Sequence, residues 1–326
     1  MREILQRRLS FSGRLIKKIK YDGRLLLDGK PVKLRDKGLR GQLLEAVYPE
    51  EASYFEPEDI PVDVVYEDSD LLIVNKQPGI VVHPTKGYQT GTLANALANL
   101  LKEREESFKI RFVNRLDRDT SGLVIVAKNA HAQDFLSSEM EKDRVVKIYY
   151  AIVHGIVEED GVVDAPIDKD PDHAARRHVT PLGYPSVTHY NVVERFPAAP
   201  GTTGRLDGYT LLKLRLDTGR THQIRVHMTY IGHPLVGDEL YGQLYGYDVP
   251  PDWMPRQALH AASLELVQPV SGALVRALAP MPADMVFCLD HIRSLGGVNY
   301  GKEHSGASQQ DLQELRQRER PEQHRS

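Results

Sequence analysis

The chain has 326 residues, of which 41% are hydrophobic and 27% charged, enough apolar material for one large core or two modest ones and too much for a disordered protein. A formal net charge of −3 excludes a protein that coats nucleic acid over its whole surface, but it leaves room for a local basic patch. No stretch reaches the length of a membrane span, the start lacks the apolar run of a signal peptide, and the single cysteine, Cys288, cannot form an internal disulfide; the expectation is a cytoplasmic protein with no membrane partner, a monomer by default.

Positive charge gathers at the beginning. Ser12 is placed to cap a short helix in which Leu15, Ile16 and Ile19 face inward while Arg14, Lys17, Lys18 and Lys20 face solvent. Asp28-Gly29-Lys30-Pro31-Val32 reads as a turn between two short strands, and a closing strand is expected near Leu43–Val47. This basic helix with its hairpin resembles the α-L RNA-binding module that precedes many RNA-modifying enzymes. The acidic, proline-bearing run that follows reads as a linker, so the expected organisation is a module at 1–50, a linker at 51–60, a catalytic body at 61–298 and a disordered polar tail at 299–326.

In the body, Val64-Val65-Tyr66 and Leu71–Asn75 read as strands around an Asp-Ser-Asp turn, and Leu93, Leu97, Leu100 and Leu101 share a helical face. Asn129 is placed to cap a second helix carrying Phe135, Leu136 and Met140, and Lys147–Val153 and Leu211–Leu216 are further strands. Val286-Phe287-Cys288-Leu289 places the cysteine as a small buried apolar residue. Strands and helices mix without steady alternation, which points to an α+β fold with a mixed, largely antiparallel sheet and flanking helices.

Two segments carry chemistry. The first, Arg115-Leu116-Asp117-Arg118-Asp119-Thr120-Ser121-Gly122, precedes the apolar strand Leu123–Ala127 and sets Asp117 between two guanidinium groups, which favour its charged form. Alone, it also suits a polar turn feeding a core strand. The second runs from Leu216-Asp217-Thr218-Gly219-Arg220 through Thr221, placed to cap a helix, to His222, Arg225 and His227. There Ile224, Met228 and Ile231 share an inward face, and a helix start bearing Arg220, His222 and Arg225 suits an anion.

Together these segments resemble the RNA pseudouridine synthases of the RluA type across most of residues 61–290. Five blocks in order carry the resemblance: Tyr66-Glu67-Asp68 with Val74–Gly79 and Val82-His83-Pro84; Asn114–Gly122; Lys147–Ala151; Thr218–His227 with Gly232-His233-Pro234 and Gly237-Asp238; and Gln257–Ala261. The resemblance implies an isomerase acting on structured RNA, ribosomal first and transfer RNA second. It makes Asp117 the catalytic acid, Tyr149 the aromatic that stacks on the target base, and Arg225 the partner of Asp117. The reaction breaks the bond from N1 to the ribose and rejoins the ring through C5, so no cofactor or metal is required; attack on the ribose, attack on C6 and assisted elimination all stay open. A uridine in structured RNA must be flipped out, and Arg115 and Arg118 suit the task of filling its place. Asn114, where the family often has histidine, Arg220, His222 and Lys76 are further candidate RNA contacts, with Arg14, Lys17 and Lys18 on the basic module.

Three rivals remain. Asp119-Thr120-Ser121-Gly122 and Asp217-Thr218-Gly219 suggest an aspartic protease, but Arg118 and Arg220 disfavour a shared proton. A catalytically silent RNA binder would share the basic start. A metal site of His222, His227 and His233 lacks the spacing of a zinc helix and any supporting cysteine or carboxylate cluster.

Overall fold

A computed structural model of the protein describes residues 1–8, 11–47, 53–198, 208–247 and 249–295. The tail expected to be disordered, 299–326, and residues 51 and 52 of the expected linker lie outside the described residues. The chain divides into two compact units, Met1–Val146 with Ser263–Ala279, and Lys147–Ala262 with the described residues from Pro280 on.

The first unit opens with a π-helical turn, Ile4–Arg8, and α1 (Gly13–Asp22). Ser12 caps α1 by accepting the Leu15 N–H at 3.1 Å, as its position in the sequence suggests. Leu15, Ile16 and Ile19 pack with Leu5 and Leu25 into a small core under the sheet β1 (Arg24–Leu27), β2 (Lys30–Val32) and β3 (Leu44–Val47), in the order β2-β1-β3. Asp28 and Gly29 both adopt the left-handed conformation that a tight hairpin needs.

Next in this unit come β4 (Asp63–Glu67), β5 (Leu71–Lys76), α2 (Leu93–Glu103), β6 (Arg111–Phe112), β7 (Ser121–Ala127) and α3 (Ala130–Glu141). Asp68 accepts the N–H groups of Asp70 and Leu71, which shapes the turn between β4 and β5. β5 pairs antiparallel with β4 and β7, and β6 with β7. Every residue of β7 is buried, as an apolar run covered on both faces should be. Asn129 caps α3 through the Ala132 N–H, and α3 also meets the N-terminal segment, where Ser12 Oγ donates to Asp134 at 2.7 Å.

The second unit contains β8 (Val146–His154), β9 (Gly161–Asp164), β10 (Ile167–Lys169), β11 (Arg177–Val179), β12 (Val187–Pro197), β13 (Gly208–Leu216), α4 (Gln223–Tyr230), α5 (Glu239–Gly242) and α6 (Ala283–Leu295). β13 lies between β8 and β12, β12 pairs β9, and β10 and β11 form a separate hairpin, all antiparallel. The boundary between the units passes through β14 (Leu259–Val267), whose later half pairs with β15 (Leu274–Leu278) in the first unit. The fold class is therefore α+β with largely antiparallel pairing, as read from the sequence. α6 lays Met285, Cys288, Leu289 and Ile292 on Ile152, Phe196 and Leu211 of the sheet. Cys288 is fully buried, which pushes its thiol up to about 12.

One expectation fails here. α4 is not a half-exposed helix capped by Thr221: Gln223 through Thr229 are all buried, and the cap position is His222, in a left-handed conformation with φ 60° and no side-chain capping bond. The period of apolar residues marked one inward face, but polar Gln223, Arg225 and His227 are also enclosed, because each finds internal hydrogen-bond partners.

Gly237 sets up the return after α4. Its φ is +74°, and a Cβ there would stand 2.1 Å from the Arg256 carbonyl oxygen and 2.4 Å from that of Met254. Gly237→Ala should destabilise the protein by about 2 kcal/mol or more, seen as a lower midpoint in urea unfolding.

Candidate active site

In the first unit, the segment between β6 and β7 has no regular structure, so other groups must satisfy its backbone. Asn114 takes the place of a strand pair: its Oδ1 accepts the Ile125 N–H at 2.7 Å and its Nδ2 donates to the Leu123 carbonyl at 3.2 Å. Leu116 is buried, and the Thr120 N–H closes a turn on the Asp117 carbonyl at 3.2 Å. The Arg118 carbonyl accepts from the Gly79 N–H at 3.0 Å and from Lys76 Nζ at 2.9 Å.

These contacts correct two expectations. Lys76 is not a phosphate contact: it is 1% exposed, and its ammonium donates to the carbonyls of Gln77, Ile80 and Arg118, each at 2.9 Å. Asn114 likewise directs its amide into β7, so it shapes the loop and does not reach for RNA. A residue whose polar atoms are taken up by the backbone has little left to offer a ligand.

The electrostatics of the loop also differ from the simple reading of an acid between two arginines. Arg118 is bidentate with its neighbour Asp119, with Nε and Nη2 both within 3 Å of Oδ2, and Nη1 donates to the Tyr88 hydroxyl at 2.7 Å. The bond to Asp119 raises the proton affinity of the guanidinium. Arg115 is exposed and has no ion pair or hydrogen bond among the described residues. Asp117 sits half-buried between the two.

In the second unit, Tyr149 lies on β8 opposite Leu214 and is 7% exposed, while Tyr150 points to the other face and packs against the core beneath α6. Arg225, on α4, is also buried. Its Nε and Nη2 meet the two oxygens of Asp238 at 2.6 and 2.8 Å, and its guanidinium lies 4.9 Å from the centre of the Tyr241 ring. Tyr241 is 1% exposed, and its hydroxyl joins His222 Nδ1 to the Arg177 N–H, both at 2.9 Å.

Gln223 fixes the turn ahead of α4. Its Oε1 accepts from Thr218 Oγ1 and the Arg220 N–H, and its Nε2 donates to the Val187 carbonyl and to Thr188 Oγ1. Thr188 Oγ1 also meets His227 Nδ1, while His227 Nε2 faces the Ala165 carbonyl. A carbonyl only accepts, so Nε2 carries the proton and Nδ1 accepts from the threonine. Burial pushes this imidazole below its ordinary pKa, which keeps it neutral. Arg220 is exposed, with its guanidinium 5.7 Å from the centre of the Tyr184 ring. On α1, Arg14 and Lys17 are exposed and Lys18 is half-buried.

The rival chemistries find little support. Asp119 is bonded to Arg118, and Asp217 to His189 and Arg215, each at 2.7 Å, so each acid has its own cationic partner in place of a shared proton. Among the described residues no group of three or more His, Cys, Asp or Glu could hold a metal. The residues that sequence reasoning missed, Gln223, Asp238 and Tyr241, act through others; the Gly237-Asp238 turn was the one visible signal. Removing Asp238 would leave a buried guanidinium unpaired, so Asp238→Ala should cost about 3–5 kcal/mol in urea unfolding. Lys76→Met should cost about 2–4 kcal/mol by the same measurement, since three carbonyls lose a charged donor.

A sequence model described as RNA pseudouridylate synthase matches residues 70–230. Ribosomal large subunit pseudouridine synthase D of Haemophilus ducreyi is 42% identical over 256 residues, 75% of each chain. The protein of the same description from Escherichia coli strain K12 is 40% identical over 298 residues, 87% of each chain. Among solved structures, human RNA pseudouridylate synthase domain containing 1 superposes with a TM-score of 0.53 at 26% identity, covering 75% of this chain and 98% of its own.

Proposed function

Because the chain belongs to the RNA pseudouridine synthase family of the RluA type, we propose that it acts on uridines of ribosomal large-subunit RNA, the substrate for which its bacterial relatives are named. The enzyme is an isomerase. One glycosidic bond, N1 to C1′, is exchanged for another, C5 to C1′, and a proton leaves C5 while one is gained at N1.

Asp117 is the catalytic acid of this reading, acting as a carboxylate on the ribose, on C6, or in elimination at the sugar. The family resemblance assigns Arg225 as its ionic partner. A guanidinium has five N–H donors, so the bidentate bond to Asp238 does not exhaust it, and that bond fixes the plane in which the remaining edge lies. Tyr149 offers a ring for the target base and a hydroxyl for the C5 proton. Arg115 fills the space that the flipped uridine leaves, at a flipping cost of a few kcal/mol. Arg220, His222 and the basic residues Arg14, Lys17 and Lys18 on an RNA-binding module at 1–50 contact the nucleic acid. The enzyme works as a monomer in the cytoplasm. No helix of the described residues is long and apolar enough to cross a membrane.

The observation that carries this reading is the construction of the loop. A half-buried Asp117 and an exposed Arg115, without a partner among the described residues, stand side by side on a segment that Asn114 and Lys76 fix by its backbone. Protein-free large-subunit ribosomal RNA carrying tritium at uridine C5 should release label in the presence of the enzyme, and Asp117→Ala should lower that rate by at least about three orders of magnitude. Release from transfer RNA alone would change the substrate, and an active Asp117→Ala protein would overturn the assignment of the acid.

A further inference from the structure

One aromatic side chain beside the catalytic loop has no part in the reading above. The segment His83–Gly91 is polar and largely exposed, and within it Thr85 and Tyr88 exchange both backbone hydrogen bonds, at 2.9 and 3.0 Å, to close a tight turn around Lys86 and Gly87. Gln89 Nε2 braces the same turn on the Thr85 carbonyl at 2.8 Å. The Tyr88 side chain leaves this turn and meets the catalytic loop: its hydroxyl accepts from Arg118 Nη1 at 2.7 Å, and the guanidinium lies 5.9 Å from the ring centre. Arg118 directly follows Asp117 and is itself held by Asp119 and by its own carbonyl bond to Lys76.

A tyrosine on a polar loop is normally free to rotate. This one has its hydroxyl anchored while 43% of the residue stays exposed, so its ring is held in one place and open to solvent. A rigid aromatic face at a polar surface loses little rotamer entropy when a flat partner docks, and a guanidinium bound at its edge adds positive potential. Lys86, in the same turn, is exposed and without a partner among the described residues. An exposed aromatic ring bonded to Arg118, which directly follows the acid proposed to handle the target uridine, with Lys86 two residues before Tyr88 in the same turn, has the chemistry of a nucleotide platform.

We infer that Tyr88 is a base-contacting residue. A nucleotide next to the target uridine stacks on its ring when the strand opens, with Lys86 near the adjoining phosphate. The inference rests on the proposed activity toward RNA and on Asp117 as its acid, and it separates two tasks: Arg115 fills the gap in the RNA, and Tyr88 holds the neighbour that has lost its stacking partner.

The test measures steady-state tritium release from large-subunit ribosomal RNA by the full-length enzyme, together with filter binding of the same RNA in an Asp117→Ala background, where turnover does not intervene. Tyr88→Leu and Tyr88→Ala should raise KM and weaken binding by roughly 10-fold, with kcat changed much less, as expected for loss of one base stack. Tyr88→Phe, which keeps the ring and loses only the hydroxyl, should restore most of the binding. If Tyr88→Phe is as weak as Tyr88→Ala, the side chain acts only by holding Arg118, and the stacking role is wrong. An unchanged KM in Tyr88→Ala overturns it equally. An inactive wild type would instead defeat the proposed substrate and activity, an outcome that no Tyr88 variant can produce.

Discussion

The ammonium of Lys76, shut away from water, lets the loop that carries Asp117 keep its irregular backbone. Irregular backbone beside a buried strand exposes carbonyls that have no ladder to join, and each one left without a donor would cost a good part of the stability of a domain. Lys76 meets three of them with one charge, two from the turn after β5 and one from Arg118 in the loop before β7. A hydrated side chain such as lysine is rarely enclosed in this way, and it stays enclosed because every donor finds an oxygen. The result is two irregular segments fixed to each other at the carbonyl next to Asp117, with no requirement for either to be helix or strand.

The second unit solves a similar problem with opposite charges. Arg225 is buried on a helix enclosed from Gln223 to Thr229, and it would be a liability without Asp238, whose carboxylate is fully enclosed. Tyr241 then ties the pair to its surroundings, with its ring beside the guanidinium and its hydroxyl on both His222 and the β10–β11 hairpin. His222 adopts a left-handed backbone that a non-glycine residue enters at some cost, and the hydrogen bond to Tyr241 is one of the contacts that hold it there. In the first unit a buried lysine fixes the backbone next to Asp117, and in the second a buried carboxylate orients Arg225.

Local structure was largely legible in the sequence. Ser12 and Asn129 cap their helices as their positions suggest, Asp28-Gly29 makes its hairpin, and the apolar run after Gly122 is a fully buried strand. Propensity and capping act within a few residues, so a sequence displays them directly. What stayed hidden depends on partners far along the chain. Lys76 reads as a surface cation until the carbonyl of Arg118 is found 42 residues away, and Asn114 reads as a ligand until β7 folds against it. The spacing of α4 marked one inward face correctly but could not show that Gln223, Arg225 and His227 are enclosed as well, because their enclosure is set by Thr188, Ala165 and Asp238. The loop's charge pattern misled for the same reason: adjacency in sequence placed Arg118 beside Asp117, but the guanidinium folds back onto Asp119.

That sorting of cations decides how an RNA-modifying enzyme with a net charge of −3 can hold a polyanion. Affinity for a phosphate backbone comes from positive groups that exchange counterions for phosphates, and a guanidinium already paired inside the protein exchanges nothing. Buried Arg225 and Lys76 therefore have no charge to offer a phosphate, whereas Arg115, Arg220, Arg14 and Lys17 stand exposed, as does Arg118 beside its bond to Asp119. Under the proposed function, the salt dependence of RNA binding should follow the exposed cations, Lys86 among them, and not the buried ones. Lys76 fixes the backbone next to Asp117 from within the protein, so under the proposed function the binding energy that the exposed cations supply is available for drawing a uridine out of its stack.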